Sequence, residues 1–263
     1  MSRTLRLLLT LLLTLGPLRG MAQVNAQLFY DFGDDRRFTT LTLEMFKADK
    51  WGSTFFFVDT DFNYDKHTAG PNCAPGGSYL EIARSLNFWQ KHKALAPWSL
   101  HVEYNGGITA SYPINHAWLG GVEYFMHDAT FRHTLTLQLL YKHIMKTDAD
   151  LPFQFTAVWA CRDLFGVKGL TFSGFLDYWR EKHQTDFHMI VSAPADAPAE
   201  PSAVLASKTE HYVLLTEPQL WYNVGRHFGV DNLHVGTEVE LSEHFGSTSG
   251  FKCRPCLGAK WIF

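Results

Sequence analysis

Charge is scarce and evenly signed in this sequence: only 19% of its 263 residues are Asp, Glu, Lys or Arg, with 23 basic side chains against 26 acidic ones. Neutralising phosphates requires clustered Lys and Arg, so the chain has no basic stripe and nucleic acid is excluded as a partner. Cysteine is scarcer still. Cys73, Cys161, Cys253 and Cys256 are too few and too scattered to make a disulfide scaffold in a chain of this size. Helical periodicity is almost absent, and past Gln23 no apolar run approaches the ~20 residues that a spanning helix needs. Aromatic residues, by contrast, are abundant. They make up 15% of the chain, with Phe at 21 positions, a composition that excludes disorder, coiled coil and collagen.

The N-terminus carries a compartment signal. Arg3 and Arg6 precede the leucine-rich run Leu7–Leu15, Gly16-Pro17 breaks it, and Gly20-Met21-Ala22 supplies small residues for a peptidase. Residues 1–22 therefore read as a secretory signal peptide, with the mature chain running from 23 to 263. An exported chain without an apolar helix can still be held in a membrane as a closed sheet.

From Val24 onward apolar residues recur at every second position, in segments broken by Gly, Asp, Asn and Pro, which is the strand period. Leu41, Leu43 and Met45 alternate with Thr40, Thr42 and Glu44. Leu135, Leu137, Leu139 and Tyr141 alternate with Thr134, Thr136, Gln138 and Lys142. About twelve strands follow: Val24–Phe32, Phe38–Phe46, Trp51–Phe62, Ser78–Trp89, Trp98–Gly106, Asn115–Met126, Phe131–His143, Pro152–Cys161, Gly169–Glu181, His211–Asn223, Asn232–Glu243 and Gly250–Phe263. Ser78–Trp89 also suits a short helix, and Arg84 falls among its apolar positions. The connections alternate in length: Lys47–Lys50, His127–Thr130 and Arg162–Lys168 are short, whereas Asn63–Gly77 and the Pro/Ala-rich stretch 182–210 are long. Short turns at one end and long loops at the other are the habit of outer-membrane barrels. The expected fold is thus all-β, a transmembrane antiparallel up-and-down barrel of about twelve strands, with 182–210 as a long external loop. Trp51, Trp98, Trp89, Trp159, Trp221 and Trp261 at one end, and Trp118 and Trp179 at the other, read as two interfacial girdles. The terminal Phe263 on an alternating strand resembles the signal read by the barrel assembly machinery.

With apolar residues toward lipid, the opposite parity lines a lumen. It holds Asp31, Glu44, Asp59, Asp61, Glu103, Glu123, Asp177, Glu217, Glu238 and Glu240, opposed by Lys142, Lys252, Arg254 and Lys260. Phe29, Phe46, Phe55, Phe57, Phe175 and Trp221 share that parity. Aromatic rings beside carboxylates suit a base-and-sugar solute, since stacking a base on a ring contributes roughly 1–3 kcal/mol; alternatively the rings fill a narrow barrel as its core. The candidate solute-binding set is Phe29, Asp31, Glu44, Phe55, Phe57, Asp59, Asp61, Glu103, Asp177, Glu217, Trp221, Glu238 and Lys252. Gly246-Ser247-Thr248-Ser249-Gly250 has Thr where a nucleophile elbow needs Ser. Cys253-Arg254-Pro255-Cys256 points its thiols to opposite faces of a strand and has no second pair to complete a zinc site, leaving a local disulfide or two free thiols. No cofactor, metal or catalytic set is expected.

Several segments resemble a known family. Lys50-Trp-Gly-Ser-Thr-Phe-Phe-Phe-Val-Asp59 through Asp61-Phe62, Glu81-Ile-Ala-Arg84, His101-Val-Glu-Tyr-Asn-Gly-Gly107, Leu170-Thr-Phe-Ser-Gly-Phe175 with Trp179-Arg-Glu181, Thr216-Glu-Pro-Gln219 with Trp221-Tyr-Asn223, and Gly258-Ala-Lys-Trp261 resemble the Tsx-like nucleoside-specific channels, nearest to the branch of Bacteroidetes-type Gram-negative bacteria. The resemblance implies a monomeric twelve-stranded outer-membrane barrel passing nucleosides without cofactor. The expectation is a passive, solute-selective channel in outer-membrane lipid. The alternatives are a non-transporting surface barrel with binding loops, and an outer-membrane lipid-modifying enzyme.

Overall fold

The computed structural model describes residues 22–62, 75–109, 113–147, 149–192 and 202–263. The strands are β1 (Gln23–Asp31), β2 (Thr39–Asp49), β3 (Gly52–Phe62), β4 (Pro75–Leu86), β5 (Trp98–Ile108), β6 (Pro113–His127), β7 (His133–Ile144), β8 (Phe153–Arg162), β9 (Leu170–Ser192), β10 (Ser202–Thr216), β11 (Gln219–Asn223), β12 (Leu233–Glu243) and β13 (Phe251–Ile262). Neighbours in sequence pair antiparallel, and β13 returns to pair with β1, so the sheet closes on itself.

β10 and β11 are two halves of one position in the wall. The register against β9 runs from Thr216↔Leu176 to Gln219↔Ser173, and against β12 from Thr216↔Leu241 to Gln219↔Glu238, without a slip. Pro218 lies in the gap. It has no N–H for the ladder, but the Glu217 N–H still reaches Phe175 O at 3.1 Å and Val239 N–H reaches Pro218 O at 3.1 Å. The wall therefore has twelve strand positions and, being closed, no free edge.

The side chains are sorted inside-out relative to a soluble core. Leu28, Leu43, Ile82, Leu100, Val102, Leu139, Val235 and Leu257 are exposed on the outer surface, while Gln27, Asp31, Glu240 and Ser242 on the opposite parity are almost fully buried. Such an exterior suits hydrocarbon, where strands of this length cross at a tilt. At the end where β1 begins and β13 finishes, Trp51, Trp98 and Trp261 are exposed, with Lys50 over the Trp51 ring at 4.7 Å. Toward the far end Trp118 and Tyr141 are exposed.

Three expectations change. Trp179 and Trp221 do not belong to the girdles; they point inward and are buried, because each shares the parity of a lumen residue, Asp177 and Gln219. The stretch 182–210, expected as loop, is largely strand: β9 continues to Ser192, β10 begins at Ser202, and the two pair as a hairpin beyond the rest of the barrel. One face of its base rests on the connection between β12 and β13, through His183 to His244 O and Ser249 to Asp186, and buries Thr185, so its residues answer to polar contacts and not to the alternation that marks a strand in lipid. Segment Ser78–Trp89 is strand through Leu86, and its outward Arg84 is matched by Asp49 in a two-pronged pair at 2.8 and 2.9 Å, with Thr54 Oγ1 at 2.9 Å. The expected signal peptide lies outside the described residues, except for Ala22, and Cys73 lies outside them too.

Candidate functional site: the lumen

The inward side chains form two halves of different character. Along β4–β9 they are sealed. His101 bridges Glu103 at 3.1 Å and Glu123 at 3.3 Å, while Ser85 Oγ and Gln138 Nε2 donate to the same Glu123 oxygen at 2.8 and 2.9 Å. Further toward the far end Lys142 Nζ donates to Gln154 at 2.7 Å and lies over the Trp179 ring at 3.8 Å. Gln154 then donates to Thr156, which donates to Asp177 at 2.5 Å. Phe245, from the segment between β12 and β13, packs edge-on against Trp179. These groups are charged or polar, but they satisfy one another and leave little room for a solute.

The other half, along β2–β4 and β10–β13, is lined by half-buried groups. Thr42 donates to Asp59 at 2.5 Å and Thr40 to Asp61 at 2.9 Å. Phe55, Phe57 and Tyr79 form a ladder with ring centroids 6.0 Å apart at each step. Tyr79 donates to Glu81 at 2.7 Å, and Asn25 donates to Glu44 at 2.9 Å. Facing the same space, Gln219 donates to Glu238 at 2.5 Å, and Glu217 projects inward one step along the strand. These carboxylates and rings are partly buried on the inward face of the closed wall, where acids and aromatic rings lie side by side.

Phe29 and Trp221 behave differently. They sit at the ends of one cross-strand row, Phe29↔Gly258↔Gly236↔Trp221, with their rings 5.5 Å apart over the two glycines. A Cβ on Gly236 would fall 2.5 Å from the Trp221 ring, and one on Gly258 would fall 2.6 Å from the Phe29 ring. The glycines let both rings lie against the wall. Lys260 Nζ covers the other face of Trp221 at 4.1 Å, and the indole N–H donates to Gln219. Both rings are thus packed as core and offer no free face for stacking.

At the far end an ion network joins the inward faces of the neighbouring strands β1, β13 and β12. Arg36, from the connection between β1 and β2, reaches Asp31 at 3.0 Å and Glu240 at 2.8 Å. Arg254 pairs with Glu240 and with Asp35 at 2.7 and 3.0 Å, and the Cys256 thiol donates to Asp31 at 2.8 Å. Asp35 lies outside the strands, and the hydrogen bond from Arg254 holds its carboxyl below the usual carboxylate range. Lys252 faces inward one step above Arg254 and acts electrostatically on Asp35.

The residues singled out in the sequence are therefore divided by the fold. Glu44, Phe55, Phe57, Asp59, Asp61, Glu217, Glu238 and Lys252 are partly buried on the inward face, Asp177 is tied by Thr156 into the sealed half, and Phe29, Asp31, Glu103 and Trp221 are sealed in packing or ion pairs. Arg36 and Tyr79 are lumen groups that parity reasoning missed. Arg36 lies in no strand and has no parity, and the signal that could have flagged it is the charge run Asp34-Asp35-Arg36-Arg37 directly after an inward Asp31. Among the described residues no group of three or more His, Cys, Asp or Glu could hold a metal ion. Cys161, Cys253 and Cys256 are free thiols, with Cys253 exposed and Cys256 buried on opposite faces of β13.

A sequence profile for DUF5020, a domain of unknown function, matches residues 22–263. The chain belongs to this DUF5020 family. Among solved structures it is similar to the NanC porin, with a TM-score of 0.51 at 9% identity over 90% of this chain and 98% of that one. The KdgM porin aligns with a TM-score of 0.47 at 12% identity over 92% and 99%. No curated protein matches. At such identities the likeness to NanC is one of fold, a porin barrel. The family description names no solute, and neither likeness extends to nucleoside specificity, so the resemblance to Tsx-like channels is carried here only as far as the barrel.

Proposed function

We propose that this DUF5020 barrel is an outer-membrane channel for the passive, selective passage of small polar solutes. Its terminal end would face the periplasm and its far end the outside. Residues 1–22 serve as the export signal in this reading, Phe263 as the assembly signal, and the working unit is a monomer. The observation that carries the proposal is the pairing of an apolar exterior with an interior half where Phe55, Phe57 and Tyr79 lie beside Glu44, Asp59, Asp61 and Glu81. A pure scaffold would have no use for half-exposed rings beside carboxylates in its interior, whereas a channel uses such groups to hold a solute weakly and release it.

Acidic groups outnumber basic ones on this lining, so neutral and cationic solutes suit it and anions do not. Nucleosides are the cargo we favour: a flat heterocycle can stack on the Phe55/Phe57 ladder while ribose hydroxyls donate to Asp59 and Asp61. The test is planar-bilayer recording of the refolded mature chain. Conductance steps with a reversal potential favouring K⁺ over Cl⁻, partly blocked by adenosine or thymidine, support the reading. An electrically silent barrel refutes the channel, and an open channel indifferent to both nucleosides refutes the cargo.

A further inference from the structure

Arg36 occupies an unusual place. It is borne on the short connection between β1 and β2, whose ends are already closed by the Asp31 N–H to Phe38 O bond at 3.0 Å, so its side chain can leave the lumen without breaking a ladder. Its guanidinium binds Asp31 at 3.0 Å and Glu240 at 2.8 Å, two carboxylates on strands separated by β13. Asp59, Asp61, Glu217 and Glu238 face the same cation within electrostatic range. Asp31 and Glu240 are each 1% exposed, yet Arg36 keeps 28% exposure. The carboxylates are the fixed, deep part of the arrangement and the cation is its accessible part. Arg254 does not supply the same service, because it is spread between Glu240 and Asp35 at the rim.

A planar fork with several donors suits paired carboxylates better than a point charge does. We propose that this carboxylate ring is a guanidinium-binding site which Arg36 occupies in cis, and that a solute bearing a guanidinium or primary alkylammonium group takes the same place when the connection swings out. The inference rests on the channel reading for its transport consequence, and it names the class of solute that these carboxylates hold. A site filled by a tethered group shows a free ligand an affinity reduced by the fraction of time the site is vacant. Removing the tethered group must therefore expose the site.

The experiment compares the parent with Arg36→Ala and Arg36→Gln, using methylguanidinium chloride as probe against NaCl of equal ionic strength. Two readouts are taken, channel block in bilayers and the unfolding midpoint in detergent. Both variants should conduct more than the parent. Methylguanidinium should return them to the parent's conductance at a concentration at least about tenfold below any effect on the parent, and it should raise their midpoints, since a ligand of the folded state alone stabilises it. Adding Glu240→Gln to either variant should abolish both effects. Variants that fold but respond to methylguanidinium no differently from NaCl in either readout overturn the site. If parent and variants are all silent in bilayers, the channel reading fails, and the midpoint comparison still decides whether the ring binds guanidinium. If the variants fold only when methylguanidinium is present during refolding, that dependence supports the site; failure to fold with or without it counts against the site and for a purely structural network.

Discussion

Gly258→Ala tests the packing of the lumen with a single methyl group. The added Cβ would stand 2.6 Å from Phe29 Cδ1, 2.9 Å from Cε1 and 3.0 Å from Leu28 O. Carbon atoms in contact prefer about 3.5–4.0 Å, so the ring must retreat by roughly 1 Å. It has nowhere to go, because Trp221 lies 5.5 Å away across the row and Cys256 fills the remaining side. Overpacking of this kind costs about 1–3 kcal/mol, against which the loss of glycine's freedom in the unfolded chain returns about 0.4–1 kcal/mol. Net destabilisation should fall between about 0 and 2.6 kcal/mol, centred near 1 kcal/mol, the difference of those ranges. Gly120→Ala is the control, since its Cβ would meet nothing nearer than His101 O at 3.8 Å. Phe29→Ala should cost about 3–5 kcal/mol by itself, but in that background Gly258→Ala should become nearly neutral, a coupling of about 1–2 kcal/mol. The assay is reversible urea unfolding in lipid vesicles, followed by tryptophan fluorescence and by the mobility difference between folded and heated protein on gels. The reasoning is refuted if Gly258→Ala matches Gly120→Ala, or if its cost is the same with and without the Phe29 ring.

Other outcomes follow from the same geometry. Phe55→Ala and Asp59→Ala should each weaken nucleoside block several-fold while leaving gel mobility unchanged, and Trp221→Phe, whose ring is covered on both faces, should not; unchanged block in Phe55→Ala and Asp59→Ala would remove the ladder as the solute platform. His101→Ala takes the shared partner from Glu103 and Glu123, and although Ser85, Gln138 and Asn105 keep some hydrogen bonds in place, the loss should be on the order of 3 kcal/mol in urea; a change below a few tenths would show that His101 does not hold this half closed. Mild oxidation should leave Cys253 and Cys256 unlinked, because they sit on opposite faces of β13, so recovery of a Cys253–Cys256 disulfide peptide by mass spectrometry of the folded protein would mean that β13 is misplaced.

Strand positions were legible because lipid imposes a strict two-residue rule. Leu135–Tyr141 and Leu233–Leu241 each give their facing from composition alone, and the boundaries agree within a few residues. Legibility ended where that rule ended. The hairpin formed by the outer parts of β9 and β10 stands beyond the apolar band, so nothing forces its residues to alternate. Arg84 looked like an error of parity because its partner, Asp49, lies 35 residues away in sequence, and no local pattern announces a cross-strand ion pair. Parity also assigns a direction but not a role. It placed Phe29 and Phe55 alike on the inner face, yet a glycine on the neighbouring strand buries the first ring, while Phe55 is set opposite Ala83 and Phe46 and stays half-exposed.

The wall of such a barrel is nearly fixed by its closure, so what passes is decided by how the interior is filled. Here one half is filled by side chains that hydrogen-bond one another within the wall, His101 between two glutamates and Lys142 against Trp179 and the Gln154–Thr156–Asp177 chain. The other half has more carboxylates than the wall strands have cations to match, and part of the compensating charge arrives from outside the strands, on Arg36. A cation carried on a connection can be withdrawn at the cost of its own two ion pairs and, where the connection moves with it, of the Asp35–Arg254 pair, whereas a cation carried on a strand cannot leave without moving the ladder. That difference in tether accompanies the difference in exposure, 28% for Arg36 against 1% for Asp31 and Glu240, and on the proposed channel reading it is residues 33–37 that would set the width of the passage.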